Sequence, residues 1–261
     1  MYIDTHCHLD AAEFGGTQDA LVQAACAAGV QRIVVPAVAR DNFDTVRALC
    51  ERYPGCAPAY GIHPMYTDNA QPDDLKALRD CLALPGTIAV GEIGLDFFID
   101  HYDRERQEHF FVEQLKLAKE FDLPVLLHIR RAQDTILKHL RQIRVRGGIA
   151  HAFNGSRQQA EEFIKLGFKL GFGGAMTYSR ATKLRELAAT LPVESIVLET
   201  DAPDIPPDFL ERGQPNKPEY LPRIAATLAQ LRGMPPEEIA RITTENVSSA
   251  LPQLAPPTTS T

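Results

Sequence analysis

The chain has no CxxC pair, and its five cysteines, Cys7, Cys26, Cys50, Cys56 and Cys81, are an odd number. A disulfide framework is therefore not expected, and the cysteine pattern suits a reducing compartment. Basic residues are outnumbered: 27 Lys and Arg stand against 34 Asp and Glu, a formal charge of −7. That excludes a broad nucleic-acid-coating surface, which needs a basic face, but not an enzyme that grips a few phosphates locally. No run approaches the roughly 18 consecutive apolar residues that a membrane span requires. The start, MYIDTHCH, has neither a basic segment nor an apolar core of the kind that marks a secretory leader. These absences predict a cytoplasmic protein with no membrane partner. No internal repeat and no break in composition divides the 261 residues. We therefore expect one domain over residues 1–254 and a fraying Pro/Thr-rich tail, APPTTST, over 255–261.

What is present is an alternation. Short apolar, β-branched runs occur at 2–6, 32–38, 57–63, 87–95, 124–130, 147–153, 168–174 and 195–201. Their near-continuous apolar character suits strands covered on both faces, as in a parallel sheet. Helical patterns separate them. TQDALVQAACAAG (17–29) offers Thr17 as an N-cap and Gly29 as a stop. DNFDTVRALCERY (41–53) starts at Asp41 and ends before Pro54. Further helices are read at 103–121, at 156–167 with a capping-box spacing from Ser156 to Gln159, and at 235–251. Eight strands alternating with helices over this length predict an α/β protein with a (β/α)8 TIM barrel. A doubly wound open sheet has the same periodicity and is the runner-up. A proline-rich loop at 202–218 follows the last strand and would lie over the C-terminal face of a barrel.

The ends of these runs carry unusual chemistry. The first leads into His6 and His8, the third ends at His63, the fourth carries Glu92, the fifth His128, the sixth His151 and the eighth Asp201. In a barrel all of these converge on one mouth. His6 and His8 are two apart, so on an extended chain both imidazoles face one side while Cys7 faces the other, into packing. Imidazole and carboxylate donors suit zinc, manganese, iron or nickel, and magnesium less well. The set His6, His8, Glu92, His128, His151 and Asp201 exceeds what one tetrahedral ion uses, which points to two divalent metal ions. Glu92 would bridge them. Asp201 would bind metal and accept a proton from an attacking water. Paired ions of this kind suit phosphodiester cleavage.

These segments resemble the TatD-type metal-dependent hydrolases, a branch of the amidohydrolase-like TIM barrels. The resemblance rests on IDTHCHLD (3–10), GIHP (61–64), AVGEIGLDF (89–97), LPVLLHIRRA (123–132), HAFNGS (151–156), GFGGAMTY (171–178) and LETDAP (198–203), and runs from residue 2 to about residue 250. It implies a TIM barrel with up to two divalent metals on the same six residues, and a deoxyribonuclease activity, in some members a 3′–5′ exonuclease. Related amidohydrolases often bridge their metals with a carbamylated lysine; here the fourth strand offers Glu92 instead. QPNKPEYLP (214–222) lacks the arginine common in that region of the family, and TTENVSSAL (243–251) keeps Asn246 but lacks the usual terminal aromatic residue.

Other residues carry weaker readings. His63 is assigned to catalysis as a proton donor to the leaving oxygen. Arg130 and Arg131 are assigned to a substrate phosphate. Glu199, two before Asp201, is read as a hydrogen-bond partner of a ligand histidine. Arg157 and Arg180 read as surface charges, and His101, His109 and His139 as surface or packing residues. The expected partner is DNA or another phosphodiester, cleaved with a metal-activated water, in a protein for which a monomer is plausible. The alternative within enzymes is an amidohydrolase or lactonase acting on a small C–N or C–O substrate; a degenerate, purely binding barrel would have no reason to keep the ligand set.

Overall fold

In a computed structural model, which describes residues 1–98 and 101–254, the apolar runs become eight parallel strands. They are β1 Tyr2–Asp4, β2 Val30–Pro36, β3 Cys56–Tyr60, β4 Ala89–Asp96, β5 Val125–Arg130, β6 Gly148–Ala150, β7 Phe168–Phe172 and β8 Ile196–Leu198, hydrogen-bonded in sequential order. The first and last meet through a short seam. Thr5 N–H and its hydroxyl both donate to Leu198 O, Asp201 N–H donates to His6 O at 2.8 Å, His8 N–H donates to Ala202 O at 2.8 Å, and Cys7 bridges Ala202. That seam makes the sheet a nearly closed (β/α)8 barrel and removes the open-sheet alternative.

Helices α1 Gln18–Ala27, α2 Phe43–Arg52, α3 Pro72–Leu82, α4 Arg104–Glu120, α5 Gln133–Gln142, α6 Arg157–Lys165, α7 Thr182–Thr190, α8 Leu221–Arg232 and α9 Pro236–Ala250 cover the outside. Their apolar faces explain why the strands carry few polar residues: both sheet faces are buried, one against the helices and one in the barrel interior. The capping box at Ser156 forms as read, Gln159 N–H donating to Ser156 Oγ and Ser156 N–H to Gln159 Oε1. Thr17 does not cap α1; its hydroxyl turns back to Phe14 O at 2.6 Å. A 3-10 turn at Arg40–Asn42 precedes α2, which starts at Phe43 rather than Asp41. The expected tail at 255–261 lies outside the described residues.

Several strands are shorter than the apolar runs imply, ending at Asp4, Tyr60, Ala150 and Leu198. The ladder stops there, but the chain continues towards the mouth, so His6, His63, His151 and Asp201 stand just beyond their strands, while Glu92 and His128 lie within theirs. At 202–218 the loop is tied to the end of β8 by Asn216. Its side-chain amide donates to Thr200 O and Ile205 O, and its backbone N–H donates to Pro203 O.

Candidate metal centre

Each functional side chain is placed by an identifiable local device. Asp4, fully buried at the end of β1, accepts from Thr200 Oγ1 at 2.6 Å, Thr200 N–H at 2.9 Å and His6 N–H at 3.2 Å. This stitches the His6 and Asp201 segments together. Asp201 itself adopts a left-handed backbone, φ +59, as do Arg131 (+54), Ala152 (+43) and Ile205 (+46), all just past β5, β6 or β8. Non-glycine residues adopt this conformation only when surroundings over-determine it, and such residues cluster where a side chain must be aimed.

Glu92 lies within β4, which runs close to β5. A Cβ on Gly94, where φ is +156, would sit 1.9 Å from His128 O. Glycine alone lets β4 and β5 approach there. From α4, Gln107 and Gln114, two turns apart on one face, reach inward. Gln107 Oε1 accepts from Asp96 N–H at 2.9 Å. Gln114 accepts from Ile62 N–H and donates to Ile62 O, which fixes the residue before His63.

The donor atoms then converge. His6 Nε2 lies 3.3 Å from His8 Nε2 and 3.2 Å from Glu92 Oε2. His8 Nε2 lies 3.5 Å from Glu92 Oε2, and both histidine nitrogens are 3.7 Å from Asp201 Oδ1. A tetrahedral ion with ~2.1 Å bonds has donor–donor edges of about 3.4 Å, so these separations fit one ion's shell. The other Glu92 oxygen, Oε1, faces a second group: His128 Nδ1 at 3.1 Å, His151 Nε2 at 3.3 Å and His63 Nε2 at 3.6 Å. Within the sets His6–Glu92–His151, His6–His8–Asp201 and His63–Glu92–His128, the donor atoms all lie within 4.8 Å of one another. All six expected ligand residues are thus brought together, with His63 beside them.

Electrostatics agree with a site built for a cation. Burial by itself would push the Glu92 carboxyl up, but the imidazoles of His6, His63 and His151 and a hydrogen bond with His128 hold it well below the ordinary carboxylate range. Burial opposes charge on His8 and His151, yet their carboxylate neighbours raise them to about 9 and about 10. His6 and His63 go the other way, lowered mainly by burial. The carboxylates therefore demand positive charge at this buried point. Protons on two histidines answer that demand, and a divalent ion among neutral imidazoles answers it equally.

Outer partners hold the ligand rings. His151 Nδ1 lies 3.4 Å from Glu199 Oε1, close but outside hydrogen-bonding geometry, and a Cβ on Gly171 would collide with that carboxylate at 2.2 Å. His128 Nε2 lies 3.2 Å from Asp96 Oδ2, a fully buried carboxylate that sequence reasoning missed. The signal was available: Asp96 stands four after Glu92 on one strand and so faces the same side. Asp4 and Thr200 were missed as well.

Arg130 and Arg131 stand at the mouth but do not touch the donor atoms. Arg130 Nη1 is 3.9 Å from Asp96 Oδ2, and both guanidinium groups lie against the Phe98 ring. Arg157 and Arg180 behave as surface residues, with Arg157 bonded to Thr190 Oγ1 and Arg180 resting 5.1 Å over the Tyr178 ring. His139 is a packing residue, paired with Glu108 at 3.0 Å. Cys7 is fully buried in the core. No described helix is long and apolar enough to cross a membrane.

Comparison with known proteins identifies the lineage. A family model described as TatD related DNase matches residues 3–252. A metal-dependent hydrolase of Escherichia coli K12, YjjV, named as uncharacterized, is 46% identical over 248 residues, spanning 94% of this chain and 95% of its own. A protein of Citrobacter rodentium named 3′-5′ ssDNA/RNA exonuclease TatD is 32% identical over 249 residues, 93% of this chain and 95% of its own. The crystal structure of E. coli YjjV superimposes with a TM-score of 0.93 at 45% identity, covering 98% of each chain. The chain belongs to the TatD family of metal-dependent hydrolases.

Proposed function

We propose that this chain hydrolyses phosphodiester bonds in DNA, working inward from a 3′ end, with two divalent ions. The observation that carries the reading is Glu92: its two oxygens face two separate donor groups. His6, His8, Glu92 and Asp201 would hold one ion, and Glu92, His128 and His151 the other. Both sets combine nitrogen and carboxylate donors, which fit zinc, manganese, iron or nickel. Bound there, such ions polarise the phosphate and ease deprotonation of water. The relative named as a 3′-5′ ssDNA/RNA exonuclease supports the nucleic-acid substrate and the direction.

The chain's own groups have distinct tasks. Asp201 is partly open to solvent, 13% exposed, whereas Glu92 is 2% exposed. Asp201 is therefore the carboxylate placed to accept the proton of an incoming water. His63 differs from the other histidines in its backbone partner: Met65 N–H donates to His63 Nδ1 at 3.2 Å. In the neutral ring the proton then resides on Nε2, the nitrogen that faces Glu92 and the mouth. That Nε2–H hydrogen-bonds to the leaving oxygen, which takes its proton from water. Glu199 and Asp96 hold the rings of His151 and His128 in the orientation their tasks need.

The test is an end-labelled single-stranded DNA oligonucleotide incubated with metal-loaded protein, with and without chelator, and with Asp201→Asn alongside. Chelator-sensitive shortening from the 3′ end that the variant loses is the expected result. Intact DNA with stoichiometric metal on the protein refutes the substrate assignment and directs the next assays to cyclic amides and lactones.

A further inference from the structure

Among the described residues four large apolar side chains are exposed: Met1, Met65, Tyr66 and Phe98. Single exposed apolar residues are ordinary; a group at one place is not. Three of these four stand on the consecutive loops after β3 and β4, at the mouth beside His63, Glu92 and His128. Tyr66 is 46% exposed and its ring lies 6.2 Å from that of His63. Phe98 is 42% exposed, two residues beyond Asp96, and its N–H donates to Asp96 Oδ1 at 2.9 Å.

Phe98 is also the point where two cations meet. The Arg130 guanidinium lies 3.8 Å from its ring centroid and that of Arg131 4.5 Å. Adjacent residues on an extended strand point to opposite sides, so both would not ordinarily reach one ring. The left-handed backbone of Arg131, φ +54, turns the chain there. Arg130 is in turn 3.9 Å from Asp96 Oδ2, the carboxylate that holds His128. The aromatic–arginine group is thus tied to the metal centre through one buried carboxylate.

An aromatic face stacks on any nucleobase, arginine planes add to the stack, and guanidinium N–H groups take phosphate oxygens. We propose that Phe98, backed by Arg130 and Arg131, is a stacking platform for an unpaired nucleobase next to the phosphodiester being cut. This rests on the nuclease reading above and adds to it a residue that contacts a base. A base paired within a duplex is stacked on its neighbours and has no free face for Phe98, so the platform serves unpaired bases.

The test couples the side chain to the base. Metal-loaded wild type, Phe98→Ala and Phe98→Trp are assayed on a single-stranded oligonucleotide and on versions abasic at one of the three 3′-terminal positions. Stacking of this kind is worth on the order of tenfold in affinity per base. Phe98→Ala is expected to raise KM about tenfold on the natural strand and less than about twofold on the strand abasic at the contacted position, with Phe98→Trp recovering the natural-strand value. An equal KM rise on natural and abasic strands overturns the platform, because the residue would then act on the fold and not on a base. Wild-type cleavage with no KM change in Phe98→Ala overturns the platform alone. Failure of the wild type to cleave any of these strands removes the phosphodiesterase reading, and the platform with it.

Discussion

Glu92→Gln gives the sharpest test of a shared bridging carboxylate. Each oxygen of Glu92 lies 3.1 to 3.5 Å from histidine donors of a different group, so a near-isosteric, neutral side chain weakens both groups at once. The magnitude follows from linkage. A ligand at 1,000 times its Kd stabilises the folded state by about 4.1 kcal/mol per site. Unfolding entropy of about 2.1 cal/mol/K per residue gives roughly 0.5 kcal/mol/K for 261 residues, so each filled site raises Tm by about 8 °C. Chelated wild type titrated with zinc or manganese, followed by calorimetry, should therefore rise by about 16 °C in two stages. Asp201→Asn, which touches one group, should lose the larger part of one stage and keep the other. Glu92→Gln should lose most of both. The bridging reasoning fails if Glu92→Gln keeps either stage at full size, or if wild type binds a single equivalent by elemental analysis.

Asp96→Asn removes the carboxylate behind His128 and should weaken the ion held there about 10- to 100-fold, with the other ion held as before; competition with a chromogenic chelator measures both. Thr200→Val strips the hydroxyl that donates to Asp4 and accepts from Ala202 N–H, leaving buried polar atoms without partners. It should cost about 1–3 kcal/mol in urea melts of chelated protein. Gly94→Ala drives a Cβ to 1.9 Å from His128 O, and the expected loss is at least ~4 kcal/mol or failure to fold, read by circular dichroism.

The barrel was legible because its strands are buried on both faces and so read as uninterrupted apolar runs. The histidines and carboxylates that converge at the mouth were legible for the converse reason: at the end of such a run they have no packing role and stand out. Boundaries were less legible, since a chain remains extended after its ladder hydrogen bonds end, as at His6 and His8. Helices α3, α5, α7 and α8 escaped notice, although Pro72 at the first position of α3 is a usable start signal. Thr17 has a capping residue's chemistry, but its hydroxyl found the nearer carbonyl of Phe14. Asp4, Asp96 and Thr200 were missed for a common reason. Each acts through another residue's side chain or backbone across a strand boundary, and partnership between strands is absent from a single run of sequence. Phe98 and its arginines come together through one left-handed residue, which nothing local at Arg131 announces.

The buried carboxylates explain why so many side chains serve this mouth without facing substrate. A carboxylate as enclosed as Glu92, 2% exposed, is costly to bury without compensating charge and hydrogen bonds. The five imidazoles around it and the cation they can share supply that compensation, but only while the rings keep their angles. Asp96 bonds one of those rings, Glu199 lies beside a second, the backbone N–H of Met65 bonds a third, and Asp4 fixes the segment that carries the other two. The aiming groups come from β1, β4, the residue after β8 and the loop after β3, so the centre is held from several elements at once. On the proposed reading, substrate contact falls to the rim, where Phe98 and Arg130 meet the donor set only through Asp96, the carboxylate that bonds His128.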